Sequence, residues 1–269
     1  MRALARNWQH WPDMAKIIGA AGRYATEQSI RLFQRMLMTT MLFIAAIGVF
    51  EGAILASLFT TIHLNPLLVV AAETAGALAI VWLCKAQNRR VDSYERERVA
   101  WRTGAEGERV VATTLDQLPY EFVVFHDFNT ARGNFDHLVI GPTGVFAIET
   151  KNWRGTIGAN GLGELTQDGT PSSQPYVKKL TCRIMKVREQ VIALTGCEVF
   201  IQGVMVFPKA RVEAKFGATQ SIHCVRDGRL CVYLEGEKFG RKLTTEQIAL
   251  FTRAFWGIAG MDADFRSAA

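Results

Sequence analysis

The sequence predicts a mixed α/β (α+β) domain that follows a transmembrane hairpin of two helices. Between Met36 and Cys84 the only formal charges are Glu51 and Glu73, whereas charged residues are dense elsewhere. Three strand-like runs between residues 122 and 152 are separated by turns, and amphipathic helical patterns flank them. The predicted order is helix, three strands, helix and strand (αβββαβ), followed by two short strands and a closing helix.

The composition fits a chain that is divided between lipid and water. The 269 residues are 49% hydrophobic and 21% charged, and the mean hydropathy is +0.10. The charged fraction is too high for an all-membrane protein, and the mean hydropathy is high for a purely soluble one. The composition also excludes low-complexity disorder, collagen and a disulfide-rich scaffold. The net charge of +6 favours a polyanionic partner only weakly, because basic residues also flank the apolar stretch.

Two apolar runs, 36–61 and 64–84, are each long enough to cross a bilayer. The segment His63–Pro66 between them is typical of a tight turn, so we expect an antiparallel hairpin. Basic residues flank the hairpin while its turn has none, which places both ends in the cytoplasm. The preceding segment, 1–35, is basic. We expect it to form either an interfacial amphipathic helix or a loosely structured tail.

Glu51 and Glu73 fall near the middle of the two predicted spans, where a carboxylate is costly. Three interpretations are open. The two groups are protonated and hydrogen-bonded within the hairpin, they join protomers of a homo-oligomer, or they serve an ion or proton pathway in a transporter accessory. Small residues at Gly48–Gly52 and Ala72–Gly76 allow close helix approach, which favours the oligomer slightly.

The rest of the chain divides into a charged connector, 85–98, a soluble domain, 99–259, and a tail, 260–269. Apolar periodicity and turn residues predict the elements of the domain. The expected helices are 104–118, 176–195 and 244–258, and the expected strands are 122–128, 135–140, 145–152, 199–207, 221–225 and 230–234. A long loop, with or without a short hairpin, is expected over 155–173.

Several common chemistries lack support in the sequence. The five cysteines form no CxxC pair and no zinc spacing with histidine, so we expect them to be reduced, small core residues. There is no Walker A motif, no GxGxxG and no nucleophile elbow. Nucleotide hydrolysis, dinucleotide binding and a Ser-His-Asp triad are therefore not supported.

A group of acids and one lysine remains. Glu149 and Lys151 are two residues apart on a predicted strand and therefore share one face of the sheet. The neighbouring antiparallel strand can bring Asp136 beside them, and Glu108 can reach the group from the preceding helix. Carboxylate clusters of this kind bind Mg²⁺ or Mn²⁺. A lysine beside them stabilises the anionic transition state of phosphodiester hydrolysis, or orients or helps to deprotonate the attacking water. For an isolated ExK pattern, an ordinary salt bridge is the alternative.

Two longer stretches carry a resemblance. Gly104–Glu108 (GAEGE) and Asn134–Trp153 (NFDHLVIGPTGVFAIETKNW) resemble the nuclease-related domain (NERD) family, a branch of the PD-(D/E)XK nucleases. The matching core covers about residues 99–207. The resemblance implies a restriction-endonuclease-like αβββαβ core with a mixed central sheet. It also implies roles, with Asp136 and Glu149 as metal-binding acids, Lys151 as the catalytic lysine and Glu108 as the acid of the first helix.

The sequence departs from the family pattern at the second helix. Members often carry a glutamine just after an Asn-Pro pair, whereas here Gln174 precedes Pro175 and Lys178 lies near the usual place. Gln174 therefore receives no role. Gln202 points either into the site or to the surface, and Trp153 is expected to pack.

We expect a membrane-anchored nuclease that hydrolyses phosphodiester bonds, most of all in DNA, with Mg²⁺ or Mn²⁺ as cofactor. The alternative is a membrane-anchored module that binds nucleic acid or supports assembly through the nuclease fold without catalysis. The expected partners are nucleic acid and the lipid bilayer, with a homo-oligomer through the transmembrane helices left open. The expected location is the inner (cytoplasmic) membrane of a bacterium. The protein would be multi-pass, with both termini and the nuclease domain in the cytoplasm.

Overall fold

The structure is a computed structural model that describes residues 14–59, 66–130, 133–214, 222–236 and 242–260. The chain forms two compact units. One unit contains the described residues up to Tyr24 together with those from Thr103 onward, and the other is Ala25–Arg102. The soluble domain expected from residue 99 onward thus shares its unit with a segment from the N-terminal side of the apolar stretch.

Two long helices dominate the second unit. Helix α1 (Arg23–Phe59) contains the segment 23–50, the one part of the described chain that is long and apolar enough to cross a membrane. Its apolar side chains are largely exposed, for example Leu42 at 67% and Val49 at 74%. The predicted turn at 63–65 lies outside the described residues. No second described segment meets the same criterion, so the hairpin stays a prediction.

Helix α2 (Pro66–Leu115) is continuous through three segments that the sequence analysis treated separately. These are the described part of the second apolar run, the charged connector 85–98 and the first helix of the soluble domain. Val111 and Leu115 are fully buried, as the apolar periodicity of this helix predicts. The helix ends at Leu115, three residues before the predicted end.

A six-stranded mixed sheet forms the centre of the soluble domain. Three strands make the predicted antiparallel meander: β2 (Val123–Thr130), β3 (Gly133–Gly141) and β4 (Gly144–Thr150). Strand β8 (Ile201–Phe207) is parallel to β4, and β10 (Ile222–Arg226) is parallel to β8. A short first strand, β1 (Lys16–Ile18), is parallel to β2, so the order across the sheet is β1-β2-β3-β4-β8-β10. The fold class and the mixed central sheet are as predicted.

Helices cover both faces of this sheet. Helix α3 (Tyr176–Thr195) and helix α5 (Thr245–Gly260) pack on one face in the larger apolar cluster. The end of α2 and the short helix α4 (Leu230–Glu235) pack on the other. The buried side of α3 has the predicted helical spacing. Gly196 caps the helix, because its positive φ lets its N–H donate to the carbonyl of Ile192.

The predicted loop 155–173 contains a second, small sheet. Its strands are β5 (Thr156–Ala159), β6 (Leu165–Gln167) and β7 (Thr170–Pro171), and β9 (Arg211–Val212) joins them from a later part of the chain. Glu164, just before β6, accepts hydrogen bonds from the backbone N–H groups of Val177 and Lys178, both at 3.0 Å. This small sheet therefore caps the first turn of α3.

Two secondary-structure predictions were wrong. Residues 16–18, expected in a helix or a loose tail, instead pair with the otherwise open edge of β2, and Met14 forms an isolated bridge with Pro119. Residues 230–234 form α4 rather than a strand. Leu230 and Leu234 are fully buried while Val232 is 77% exposed, and burial at i and i+4 without i+2 is helical spacing.

The cysteine prediction was wrong in part. All five cysteines are free, but of these only Cys224 is buried. Cys182 and Cys197 are exposed, because they lie on the solvent side of α3 and just after its end.

Candidate active site

The structure brings together the four residues that the sequence singled out. Glu108 lies on α2, Asp136 on β3, Glu149 on β4, and Lys151 directly after β4. His137 pairs with Ile148, so Asp136 and Glu149 occupy the next position along the two antiparallel strands. The N–H of Thr150 donates to Asp136 Oδ2 at 2.6 Å, which fixes the carboxylate of β3 against the end of β4.

Both oxygens of Glu149 are held by cationic side chains. Lys151 Nζ lies 2.8 Å from Oε1, and Arg183 Nη2 lies 2.8 Å from Oε2. Arg183 extends from α3, also donates to the carbonyl of Asn134, and lies 5.4 Å over the ring of Phe135. Arg183 therefore ties helix α3 to β3 and β4 at the site. Sequence patterns do not indicate this role for Arg183, because an arginine on a helix faces solvent by default.

Asp127 is a further acid that the sequence analysis missed. It lies on β2 with a φ of 52°, and its side chain is buried. Its Oδ2 accepts the N–H of Tyr24 at 2.7 Å, and its Oδ1 accepts the side-chain amide of Asn134 at 2.9 Å. One sequence signal for Asp127 was available. It lies in the apolar run 122–128, and a simple hairpin between this run and the next strand would place it opposite Asp136. We call Glu108, Asp127, Asp136 and Glu149 the acidic cluster.

The chain before α1 takes part in this cluster. The backbone N–H of Gly22 donates to Glu108, and the N–H of Tyr24 donates to Asp127. Tyr24 is in the first turn of α1, where backbone amides have no partner within the helix. Gly22 has a φ of 71°, and a Cβ at this position would lie 3.0 Å from the carbonyl oxygen of Ala105. Glycine is therefore the residue that fits here.

The acids of the cluster interact strongly. Burial, followed by the charges of Asp127 and Glu149, raises the pKa of Glu108 to about 7. Burial and the charges of Glu149 and Glu108 raise the pKa of Asp136 well above its ordinary value. Burial is the largest cause of both shifts and the neighbouring carboxylates add to it, so ionising Glu108 and Asp136 is unfavourable without a further positive charge.

Glu149 and Lys151 show the opposite effect, in which the charged forms are favoured. Burial opposes ionisation of Glu149, yet Lys151 and Arg183 hold its pKa below the ordinary value. Burial likewise opposes the charge on Lys151, but Glu149 and Asp136 raise the pKa of its ammonium overall. The ammonium is therefore charged at neutral pH.

The donor set suits a hard divalent cation. Asp136 and Glu149 offer carboxylate oxygens, and Glu108 lies close enough to interact electrostatically with both. In the described ranges, no three Asp, Glu, His or Cys side chains are arranged so that they would hold a metal ion as they stand. Glu149 would have to exchange a contact with Lys151 or Arg183 for one with a cation.

The remaining predicted residues lie at different places. Gln202 is buried and lines a separate cavity, and its side-chain amide donates to the carbonyl of Gly203. Gln174 lies beside the site and accepts a hydrogen bond from Lys179 Nζ. Trp153 packs on Tyr176 and Phe207, with ring centroids 5.2 Å and 5.9 Å away. The side chains of Glu51 and Glu73 lie outside the described part of the structure.

Residues 103–208 match the family model of the nuclease-related domain. These residues are a NERD domain. The match contains Glu108, Asp127, Asp136, Glu149, Lys151 and Arg183, and the fold of a NERD domain is restriction-endonuclease-like. No curated protein and no solved structure matches the chain.

Proposed function

We propose that this NERD domain hydrolyses phosphodiester bonds, most of all in DNA, in a metal-dependent reaction. The observation that carries the proposal is the convergence of Asp136, Glu149 and Lys151 at the end of β4, with Glu108 reaching the same cluster from α2. Two acids and a lysine at one strand end are the groups that a metal-assisted phosphodiesterase requires.

The proposed cofactor is Mg²⁺ or Mn²⁺, held by Asp136 and Glu149. When bound, such a cation supplies positive charge that polarises a phosphoryl oxygen and lowers the pKa of bound water. The raised pKa values of Glu108 and Asp136 support this proposal, because a bound divalent cation would favour the ionised carboxylates that burial and mutual repulsion disfavour.

The roles of the protein groups follow from their contacts. Lys151 keeps its ammonium charged, so it is suited to stabilise the extra negative charge on phosphate in the transition state rather than to accept a proton. Arg183 orients Glu149 and joins it to α3. The amides of Gly22 and Tyr24 orient Glu108 and Asp127.

We also propose that the nuclease acts while anchored in a membrane. The support is the apolar segment 23–50 of α1, whose side chains are exposed. Together with the second apolar run, it would make a multi-pass hairpin in the inner membrane of a bacterium, with the nuclease domain in the cytoplasm.

The test uses the full chain, purified in a mild detergent, with supercoiled plasmid DNA as substrate. A fragment from residue 86 onward is unsuitable, because it would lack β1 and the amides of Gly22 and Tyr24. We expect nicking or degradation with Mg²⁺ or Mn²⁺ and none in EDTA. Lys151→Ala should abolish cleavage, whereas the matched Lys209→Ala should not, because Lys209 pairs with Glu106 outside the cluster. Cleavage unchanged by Lys151→Ala would rule out the assignment.

One observation favours a second function, nucleic-acid binding without catalysis. Both oxygens of Glu149 are already engaged by Lys151 and Arg183, which is also the arrangement of a structural ion-pair network. This function predicts salt-sensitive DNA binding that survives Asp136→Ala, and no cleavage with any divalent ion.

A further inference from the structure

A groove borders the Glu149–Lys151 pair, and α3 forms one of its sides. Its volume is about 570 Å³. The residues that matter here are the two members of the pair and four cationic residues of α3: Lys178, Lys179, Arg183 and Lys186. We call this surface the basic groove.

The charge of the basic groove is strongly positive. Glu149 is its one acidic lining residue, and Lys151 and Arg183 already neutralise that carboxylate. Lys178 and Lys186 are exposed, and their ammonium groups form no ion pair with any residue in the described ranges. These unpaired positive charges on one side of the groove attract a polyanion.

The first turn of α3 does not supply this binding. Its backbone amides at Val177 and Lys178 are occupied by the carboxylate of Glu164. A ligand in the groove would therefore be held by the side chains along the helix. This observation separates the basic groove from a generic anion site at a helix end.

The spacing of the lysines suits a short piece of a nucleic-acid strand. Lys178 and Lys186 are eight residues apart on α3 and on the same side of the helix, which corresponds to about 12 Å along its axis. A strand of B-form DNA rises about 3.4 Å per nucleotide. Two lysines at this distance span roughly three to four nucleotides.

The shape of the surface favours a nucleic acid over an anionic bilayer. The groove is concave and reaches Glu149 and Lys151, and both of these side chains are largely buried. A single strand or one strand of a duplex can follow such a groove and bring a phosphate to Lys151. A flat bilayer surface would touch the exposed lysines and would not enter.

We propose that the basic groove binds the sugar-phosphate backbone of the nucleic-acid substrate, with Lys178 and Lys186 as phosphate contacts that guide the strand to Lys151. The proposal rests on the proposed nuclease function, since it names the surface that holds the substrate of that site. It goes beyond that function by assigning residues outside the acidic cluster, for which the family match gives no role.

The test measures binding of a fluorescein-labelled 20-nucleotide DNA strand, and of the same sequence as a duplex, to the full chain in detergent. All proteins carry Asp136→Asn to prevent turnover. The test variant adds Lys178→Gln and Lys186→Gln. The matched control adds Arg229→Gln and Arg253→Gln, which remove the same charge from exposed positions on other elements. A Lys178→Arg and Lys186→Arg variant restores the charge, and melting temperatures verify folding.

We expect the glutamine pair to weaken binding on the order of tenfold per lysine, and to reduce the salt dependence of log K by about 0.7–0.9 per lysine. The arginine pair should restore both values, and the control should match the parent. Equal affinity of the test and parent proteins would overturn the proposal. Retained DNA binding with a loss of binding to phosphatidylglycerol vesicles would also overturn it, in favour of a lipid surface.

The outcomes separate this proposal from the proposed nuclease function. If Lys151→Ala abolishes cleavage while Lys178→Gln and Lys186→Gln leave DNA binding unchanged, the binding role of the basic groove is rejected and the nuclease function is retained. If the lysine variants lose DNA binding while the parent cleaves no DNA with any divalent ion, the binding role of the basic groove is retained and the nuclease function is rejected.

Discussion

The β2–β3–β4 meander contains two buried polar groups that are built in opposite ways. His126 and His137 face each other with their Nδ1 atoms 2.8 Å apart, and burial lowers the pKa of both rings, so they are neutral. The acidic cluster near Asp136, the neighbour of His137 in sequence, instead contains four carboxylates with Lys151 and Arg183 beside them. Burial favours the neutral rings of the histidine pair. In the acidic cluster, two cations keep Glu149 ionised, while burial and neighbouring carboxylates raise the pKa values of Glu108 and Asp136.

This contrast between the histidine pair and the acidic cluster indicates which of the two has a functional role. A neutral histidine pair with one shared hydrogen bond is compatible with a dry core and requires no ligand. Crowded carboxylates destabilise a fold unless something offsets their charge, and strongly shifted acids of this kind concentrate at functional sites. We therefore expect substitutions in the acidic cluster to affect activity more than stability.

The largest effect is expected from Asp136→Asn. Asparagine keeps an oxygen for the N–H of Thr150 but removes the charge, so cleavage should fall by about 10²–10³-fold. The melting temperature should stay the same or rise, since one crowded carboxylate is gone. Asp168→Asn is the matched control, because Asp168 also accepts a backbone N–H, that of Thr156 at 2.7 Å. A cleavage rate equal to that of the control would remove the distinction between the two polar groups.

Arg183→Ala should have a smaller effect on activity. Without the guanidinium, Glu149 keeps Lys151 but loses its tie to α3, and outer contacts of this kind are worth about 10–100-fold in activity. Arg183→Lys should give an intermediate rate, because one ammonium cannot reproduce the planar fork of donors. The control is Arg188→Ala, which removes an arginine of α3 that also joins a carboxylate, Glu198, to a backbone carbonyl. Equal rates for the two alanine variants would argue against a positioning role.

Gly22→Ala tests whether the segment before α1 belongs to the cluster. Alanine at a φ of 71° should cost about 1–2 kcal/mol of folding free energy. That cost lowers the melting temperature by roughly 2–8 °C. Cleavage should fall as well, because the N–H of Gly22 orients Glu108. Gly161→Ala is the control, since nothing lies within 4 Å of a Cβ at that position. Equal melting temperatures for the two variants would contradict the described position of this segment.

The smallest effect is expected from Glu108→Gln, measured in EDTA. The pKa of Glu108 is about 7 in the folded protein and near its ordinary value of 4.5 when unfolded. The folded state therefore binds more protons between these pH values, and the free energy of unfolding falls as pH rises through this window. Glutamine does not titrate, so the variant should not lose this free energy of unfolding as pH rises. It should be more stable than the parent by about 1 kcal/mol at pH 8 and no more stable at pH 4. Equal stability of the two proteins at every pH from 5 to 8 would contradict the crowding.

The histidine pair should show the opposite pH dependence. Its folded pKa values lie below the ordinary 6.5, so the unfolded chain takes up protons first and stability declines as pH falls below that value.

The part of the site that the sequence predicts is the part that local rules determine. A period of two places Glu149 and Lys151 on one face, and the turn at 141–144 brings β3 and Asp136 beside them. Asp127 escaped prediction because its positive φ departs from strand geometry, so alternation gave no indication of its direction.

Other features depend on how elements dock. Arg183 reaches Glu149 only because α3 lies across the sheet in one orientation, which helical periodicity does not specify. Strand β1 has three residues, and its partner is the edge of β2, more than 100 residues later in the chain. No pattern within residues 14–18 predicts that partner.

The central claim is that a divalent cation completes the acidic cluster of a nuclease. The most direct measurement is the melting temperature of the full chain as a function of Mg²⁺ concentration, with plasmid cleavage followed in the same samples. We predict that Mg²⁺ raises the melting temperature of the parent, since a ligand of the folded state stabilises it, and that cleavage appears over the same concentrations. In Asp136→Asn both responses should be lost. A melting temperature independent of Mg²⁺, together with the absence of cation-dependent cleavage, would contradict the claim.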